Sequence, residues 1–221
     1  IEVLDKPFDY DKPVNLLKYL IEIARLEEND TILDLFSGSC SLAHAVFESN
    51  KETNKNLKFI CVQLPELCKT DSEEYLAGYK TIADIGKERI RRAIKQTDSI
   101  IENEIDILKD QVKECEDKLQ TEDIINEKKN LEEKIQSLRE QDLGFKVFKI
   151  SESNFKQWQQ IKGNDVDKLV KQIELFVDPV AERADAESIV FELLLKSGKS
   201  LNSKIEKVSD FYCINNTELI L

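Results

Sequence analysis

From Gln96 to Gln141 neither glycine nor proline interrupts the chain, and nearly every residue is charged, an amide or aliphatic. A stretch this long without a helix breaker has little choice but long helix. Ile101, Ile105, Leu108, Val112, Cys115 and Leu119 follow one another at alternating spacings of four and three, a heptad seam. The register breaks at Gln120-Thr121-Glu122-Asp123 and restarts with Ile124, Leu131, Ile135 and Leu138. Thr121 can cap a second helix there. An antiparallel coiled-coil hairpin over 97–141 is therefore expected, in preference to one long helix with a stutter. Its apolar seam packs helix on helix, and its tip is free to meet a partner.

Both flanks read differently. In KPVNLLKYLIEIA, Val14, Leu17, Leu20, Ile21 and Ala24 recur at helical spacing behind Pro13. TILDLF is a short β-prone run, SGSCS a small-residue loop, and LAHAVFE helical again. KFICVQL reads as a second buried strand ending at Pro65, followed by a polar, irregular stretch to Gly78 and a helix over TIADIGKERIRRAIK, Thr81 to Lys95. Strands alternating with helices predict the α/β class, a mostly parallel sheet covered by helices, over 1–96. A small α/β module is expected over 142–221. There FKVFKI alternates like a strand, Asp165 to Phe176 and AESIVFELLLKSG are helical, and FYCINNTELIL forms two strands around an Asn-Asn turn.

The chain has 221 residues, a net charge of -12, 34% charged and 41% hydrophobic residues, which is globular composition. Disorder and collagen are excluded. No apolar run reaches the roughly 18 residues of a membrane helix, and no signal-peptide pattern opens the sequence, so no membrane contact and a cytoplasmic location are expected. The five cysteines include no CxxC pair, which argues for free thiols and against a disulfide framework or a metal site. Methionine is absent and the chain opens at Ile1, so it reads as a fragment.

ILDLFSGSCSLAHAV is the stretch best suited to chemistry. A loop between a strand's carboxyl end and a helix start offers free N–H groups and the helix dipole to a polar ligand, and small residues allow close approach. Gly and Ser also occupy such turns for conformational reasons alone. Neither the GxGxxG nucleotide fingerprint nor the GxxxxGK[ST] phosphate loop is present, which disfavours a nicotinamide or nucleotide enzyme. His44, the single histidine, reads as packing. Lys87, Arg89, Arg91, Arg92 and Lys95 make a locally basic helix, of a kind that is usually a solvated face.

On these strings the sequence resembles the modification subunit of type III restriction-modification systems, an S-adenosylmethionine-dependent adenine-N6 DNA methyltransferase. DLFSGSCSLAHAV is similar to that family's cofactor loop and following helix, and KPVNLLKYLIEIA to the helix before it. KFICVQLPE, GYKTIADIGKERIRRA, GFKVFKISESNFKQW and FELLLKSG resemble further segments, so that the likeness covers almost the whole chain. It implies a partial Rossmann-like methyltransferase fold with an inserted hairpin. It also implies that Asp34 lies near the cofactor's methionine part, that Phe36, Ser37, Gly38 and Ser39 form the tight loop, and that Lys12 and Pro13 border the pocket. Gln63 stands where methyltransferases usually place an acid on the ribose hydroxyls, and an amide oxygen can also accept from a diol. The implied partners are the N-terminal catalytic half of the same protein, DNA, a second modification subunit and the restriction subunit.

Two departures stand out. The family's catalytic Asp-Pro-Pro-Tyr is nowhere in the sequence, so this fragment is expected to be inactive alone, with no catalytic residue of its own. Cys40 replaces the loop's second glycine, at a cost of about 1–2 kcal/mol if that position needs positive φ. The alternative reading is a non-catalytic protein-interaction module on a degenerate α/β domain. Cofactor binding separates the two.

Overall fold

Pro13, whose missing N–H leaves no donor unpaired, stands immediately before α1 (Val14–Ile23). A computed structural model describes residues 12–118, 121–161, 163, 165–209, 211–215 and 219–220. It divides into two units, Ile1–Lys146 and Val147–Leu221. The first continues with β1 (Thr31–Asp34), α2 (Ser41–Thr53), β2 (Lys58–Cys61), α3 (Glu73–Leu76), α4 (Ile82–Glu116) and α5 (Glu122–Arg139). Strands β1 and β2 pair in parallel, from Thr31 opposite Lys58 to Asp34 opposite Cys61.

Helix α2 is the centre of this unit, buried along most of its length because apolar groups approach it from three directions. Leu17 and Ile21 of α1 pack on its Leu42, Ala45 and Val46, joined by Ile32 and Phe59 of the sheet. Ile90 and Ala93 of α4 pack with Ala43, Phe47 and Cys40. Phe47 meets Phe59 edge to face, ring centroids 5.5 Å apart. The strands alternate accordingly: Ile32, Asp34, Phe59 and Cys61 are half-buried, whereas Leu33 and Ile60 are exposed.

Helix α4 opens on a full capping box, in which Thr81 and Asp84 satisfy each other's N–H groups. It then runs 35 residues unbroken. The helix expected over Thr81 to Lys95 and the first arm of the 97–141 stretch are therefore one element, because no residue between them breaks the i to i+4 ladder. Helix α5 returns antiparallel along it, as the ion pairs Lys134 to Glu104 (2.7 Å) and Lys128 to Glu116 (2.7 Å) fix. Ile101, Ile105 and Leu108 pack with Leu138, Leu131 and Ile135 between the two helices, and Val112 is only half-buried. Leu119 and Gln120 lie outside the described residues.

In the second unit, α6 (Val166–Leu175) and α7 (Ala186–Lys196) start on Asp165 and Asp185, which cap them through Lys168 N and Ser188 N. A three-stranded antiparallel sheet follows, in the order β3 (Ile205–Val208), β4 (Phe211–Ile214) and β5 (Leu219–Ile220). Of the Asn-Asn turn, Asn216 lies outside the described residues. Val190 and Leu194 of α7 bury against Ile214 of β4. Two local readings are corrected. The run FKVFKI forms no strand, since no described residue pairs with its backbone in a ladder. The stretch before Gly78 contains a short helix, α3, because Ser72 accepts from Tyr75 N and starts it. Helices and small sheets mix in a manner compatible with the α/β class. No helix of the described residues is long and apolar enough to cross a membrane.

Candidate functional site

The parallel ladder brings the carboxyl ends of β1 and β2 side by side, where their loops bond directly. Val62 N donates to Asp34 O (2.8 Å), Ser37 N returns to Val62 O (3.1 Å), and Ser37 Oγ donates to the same carbonyl (3.1 Å). Gly38 N then donates to Gln63 Oε1 (2.8 Å). Gly38 adopts φ +53, a conformation natural to glycine, so the chain can turn there without strain. Gln63 also donates, through Nε2, to Leu64 O (3.2 Å).

Asp34 closes the same site from the end of β1. Its Oδ1 accepts from Phe36 N (3.1 Å) and its Oδ2 pairs with Lys12 Nζ at 3.0 Å. Thus Lys12, Asp34, Ser37, Gly38 and Gln63 are drawn together, with Pro13 next to Lys12 at the head of α1. Phe36 projects outward at 81% exposure. Ser39 is buried behind the loop, its Oγ 3.3 Å from that of Ser41.

Two residues behind the loop have roles that side-chain type alone conceals. Arg89, placed among the solvated basic residues of its helix, is only 5% exposed and donates from an NH group to Ser41 Oγ (3.2 Å) at the start of α2. The helical phase explains the difference: Arg89 shares the buried face with Ile85, Ile90 and Ala93, while Arg91 stays exposed. Gly86 is the second. A Cβ there would stand 2.7 Å from Cys40 Sγ and 3.2 Å from Gly38 O, so α4 can approach the loop only because this residue has no side chain. An isolated glycine inside a helical pattern is the signal that could have revealed it.

Cys40 takes φ +60, a left-handed conformation more natural to glycine. A hydrogen bond from the Cys61 thiol lowers the Cys40 thiol from its ordinary value, against burial and the Asp34 charge and with help from Ser37 and the Arg89 charge. The Cys61 thiol is pushed up by the same neighbour and by burial. His44 is buried, with Nε2 3.1 Å from Glu48 Oε1, and Glu48 also meets Lys18 at 3.1 Å. No cluster of three metal-ligating side chains occurs among the described residues. A shallow cavity of about 400 Å³ lies between α1 and the far end of α2, lined by Lys18, Glu22, Ser49 and Glu52. It is removed from the loop by most of the length of α2.

No family model matches the chain. Among known proteins it is similar to the type III restriction-modification enzyme EcoP15I Mod subunit of Escherichia coli, 39% identical over 93 residues, which are 42% of this chain and 14% of that protein. The StyLTI Mod subunit of Salmonella typhimurium is 38% identical over 88 residues, 40% of this chain and 13% of its own length. The EcoPI Mod subunit of Escherichia phage P1 is 33% identical over 98 residues, 44% and 15% respectively. The likeness is thus narrower than the almost full length read from the strings, and the chain matches only about one seventh of the length of these relatives. Within that span, the three matches support a partial modification subunit of the type III class.

Proposed function

We propose that this chain is the cofactor-binding portion of a DNA methyltransferase of the type III modification class, acting on adenine N6 within the intact protein. One observation carries the reading: Asp34, Gly38 and Gln63 meet at the carboxyl ends of two adjacent parallel strands, the position at which such sheets receive ligands. The donors and acceptors suit S-adenosylmethionine. Asp34 fits the ammonium of its amino-acid end, the second lone pair of Gln63 Oε1 can accept from a ribose hydroxyl, and the exposed Phe36 ring offers an apolar surface. The bound cofactor would supply an activated methyl group. Lys12, paired with Asp34, would neutralise that carboxylate until a cationic ligand competes for it.

The polar groups that hold the adenine amino group belong, in this reading, to the remainder of the protein, as does most of the DNA contact. A net charge of -12 opposes strong duplex binding by this portion alone. The second modification subunit and the restriction subunit are the expected protein partners.

Titration calorimetry with S-adenosylhomocysteine, the demethylated cofactor, tests the site. Measurable binding by this chain is expected, weakened at least tenfold by Asp34→Ala, a change of about 1.4 kcal/mol. An affinity indifferent to Asp34 would remove the assignment.

A further inference from the structure

Two of the five cysteines meet behind the loop between β1 and α2. Cys61 ends β2 and Cys40 stands immediately before α2, yet both side chains pack in one cluster with Ala43, Phe47, Ile90 and Ala93. The backbone brings them there. Ser37 N bonds Val62 O (3.1 Å) and Cys40 N turns back on Ser37 O (2.8 Å), so the loop folds against the end of β2. Both are free thiols, and the Cys61 thiol donates to Cys40 Sγ, so the two sulfurs are in contact. Their surroundings favour a thiolate. Cys40 Sγ lies 3.5 Å from Ser37 Oγ, Cys61 Sγ accepts from Ala43 N in the first turn of α2, and the Arg89 guanidinium, bonded to Ser41 Oγ at 3.2 Å, adds positive charge. A helix N-terminus, a cation and a neighbouring thiol are the features that make a cysteine reactive. The Asp34 carboxylate opposes them, but Lys12 pairs with it at 3.0 Å.

We propose that Cys40 and Cys61 are a reversible oxidation site, at which hydrogen peroxide joins them in a disulfide and thereby weakens cofactor binding. The inference deepens the proposed function and rests on it. One thiolate attacks a peroxide oxygen, the O–O bond breaks, and a sulfenic acid and hydroxide result. The second thiol attacks that sulfur, and its proton leaves with the hydroxyl group as water. The pair gives up two electrons, and the peroxide ends as two waters once its hydroxide is protonated. Cys61, only half-buried, is the side from which so small an oxidant enters, since Cys40 is covered. A disulfide sets its sulfurs about 2.05 Å apart, much closer than a hydrogen-bonded pair. Cys61 is held in the ladder opposite Asp34, so Cys40 supplies the movement. Its left-handed turn lies two residues from Gly38, whose N–H meets Gln63 Oε1 at 2.8 Å. Drawing the turn toward Cys61 displaces Gly38 from Gln63 and spoils the arrangement offered to the cofactor.

The test uses the 221-residue chain carrying Cys68→Ser, because trypsin, cutting after Lys58 and Lys69, would otherwise leave Cys68 on the Cys61 peptide. After treatment with hydrogen peroxide, mass spectrometry of the digest should show the peptide 26–51 joined to 59–69, and dithiothreitol should separate them. Titration calorimetry should find S-adenosylhomocysteine bound at least tenfold more weakly by the oxidised chain, with cooperative melting retained and the affinity restored by reduction. Cys40→Ala should form no crosslink and keep its own affinity through the same treatment. The inference is overturned if the peptide pair does not form, if a non-reducing gel shows the bond joining two chains, if the oxidised chain loses its cooperative melt, or if its affinity equals that of the reduced chain. The reduced chain separates the two readings. Failure to bind there removes the functional reading and the regulation with it, whereas normal binding there with any of the other outcomes removes the oxidation site alone.

Discussion

Cys40 and Gly86 form a pair that neither explains alone. Cys40 holds a left-handed conformation at which a Cβ costs about 1–2 kcal/mol, while burial of its small side chain contributes about 1 kcal/mol in return. Replacing it with glycine removes both effects, and replacing it with alanine removes only the favourable one. Thermal denaturation should therefore rank Cys40→Gly at or above the natural chain and Cys40→Ala about 1 kcal/mol below it; an alanine variant as stable as the glycine one would show that the turn carries no strain. Gly86→Ala gains about 1 kcal/mol of helix propensity, yet its Cβ would meet Cys40 Sγ at 2.7 Å, an overpacking that costs about 1–3 kcal/mol. Net destabilisation is expected, partly reversed when Cys40→Ala is added, and a double-mutant cycle reads that coupling.

Among the elements, the α4 and α5 pair is the most separable. Its apolar residues face one another, and the body is reached mainly at the root, where Gln141 Nε2 donates to Asn50 O (3.3 Å) and Ser137 Oγ to Asn54 Oδ1 (2.6 Å). Helix α4 alone extends about 50 Å at 1.5 Å per residue, and only its first turns carry the loop-facing Gly86, Arg89 and Ile90. Replacing Ser99 to Arg139 with a short Gly-Ser linker should therefore leave a cooperatively folded unit with unchanged S-adenosylhomocysteine affinity, measured by thermal melting and calorimetry. Loss of the cooperative transition would mean that the pair is part of the core.

On the scale of the whole molecule, the second unit should lose stability in acid. In the second unit, burial acts to raise the Glu192 carboxyl, but Lys196, Ser153 Oγ and both the backbone and side-chain nitrogens of Asn154 outweigh it and lower it to about 2. These bonds tie the 153–154 segment to α7. A carboxyl depressed in the folded state binds its proton more readily when unfolded, so its stabilisation is complete above the ordinary value of 4.5 and is lost as pH falls from there toward 2. Melting followed from pH 6 to 2 should show this loss in the natural chain. Glu192→Gln, less stable near neutrality, should flatten the profile, and parallel profiles would assign the acid response to other groups.

Local chemistry made the helices and the loop between β1 and α2 legible. Heptad spacing marked the seam residues Ile101, Ile105 and Leu108, Pro13 marked the head of α1, and a small-residue loop behind a β-prone run marked Asp34 to Ser39, because each depends on neighbours within a few residues. Tertiary structure alone decided the rest. FKVFKI alternates as a strand does but finds no partner, and ladder pairing is non-local. Arg89 lies among solvated lysines and arginines in sequence, yet helical phase and the approach of α2 bury it against Ser41. Gln63 meets Gly38 across 25 positions of chain, and Leu33 and Ile60 remain uncovered while Ile32 and Phe59 are packed. Alternation tells which residues share a face of a strand; which face is covered depends on polypeptide brought there from elsewhere.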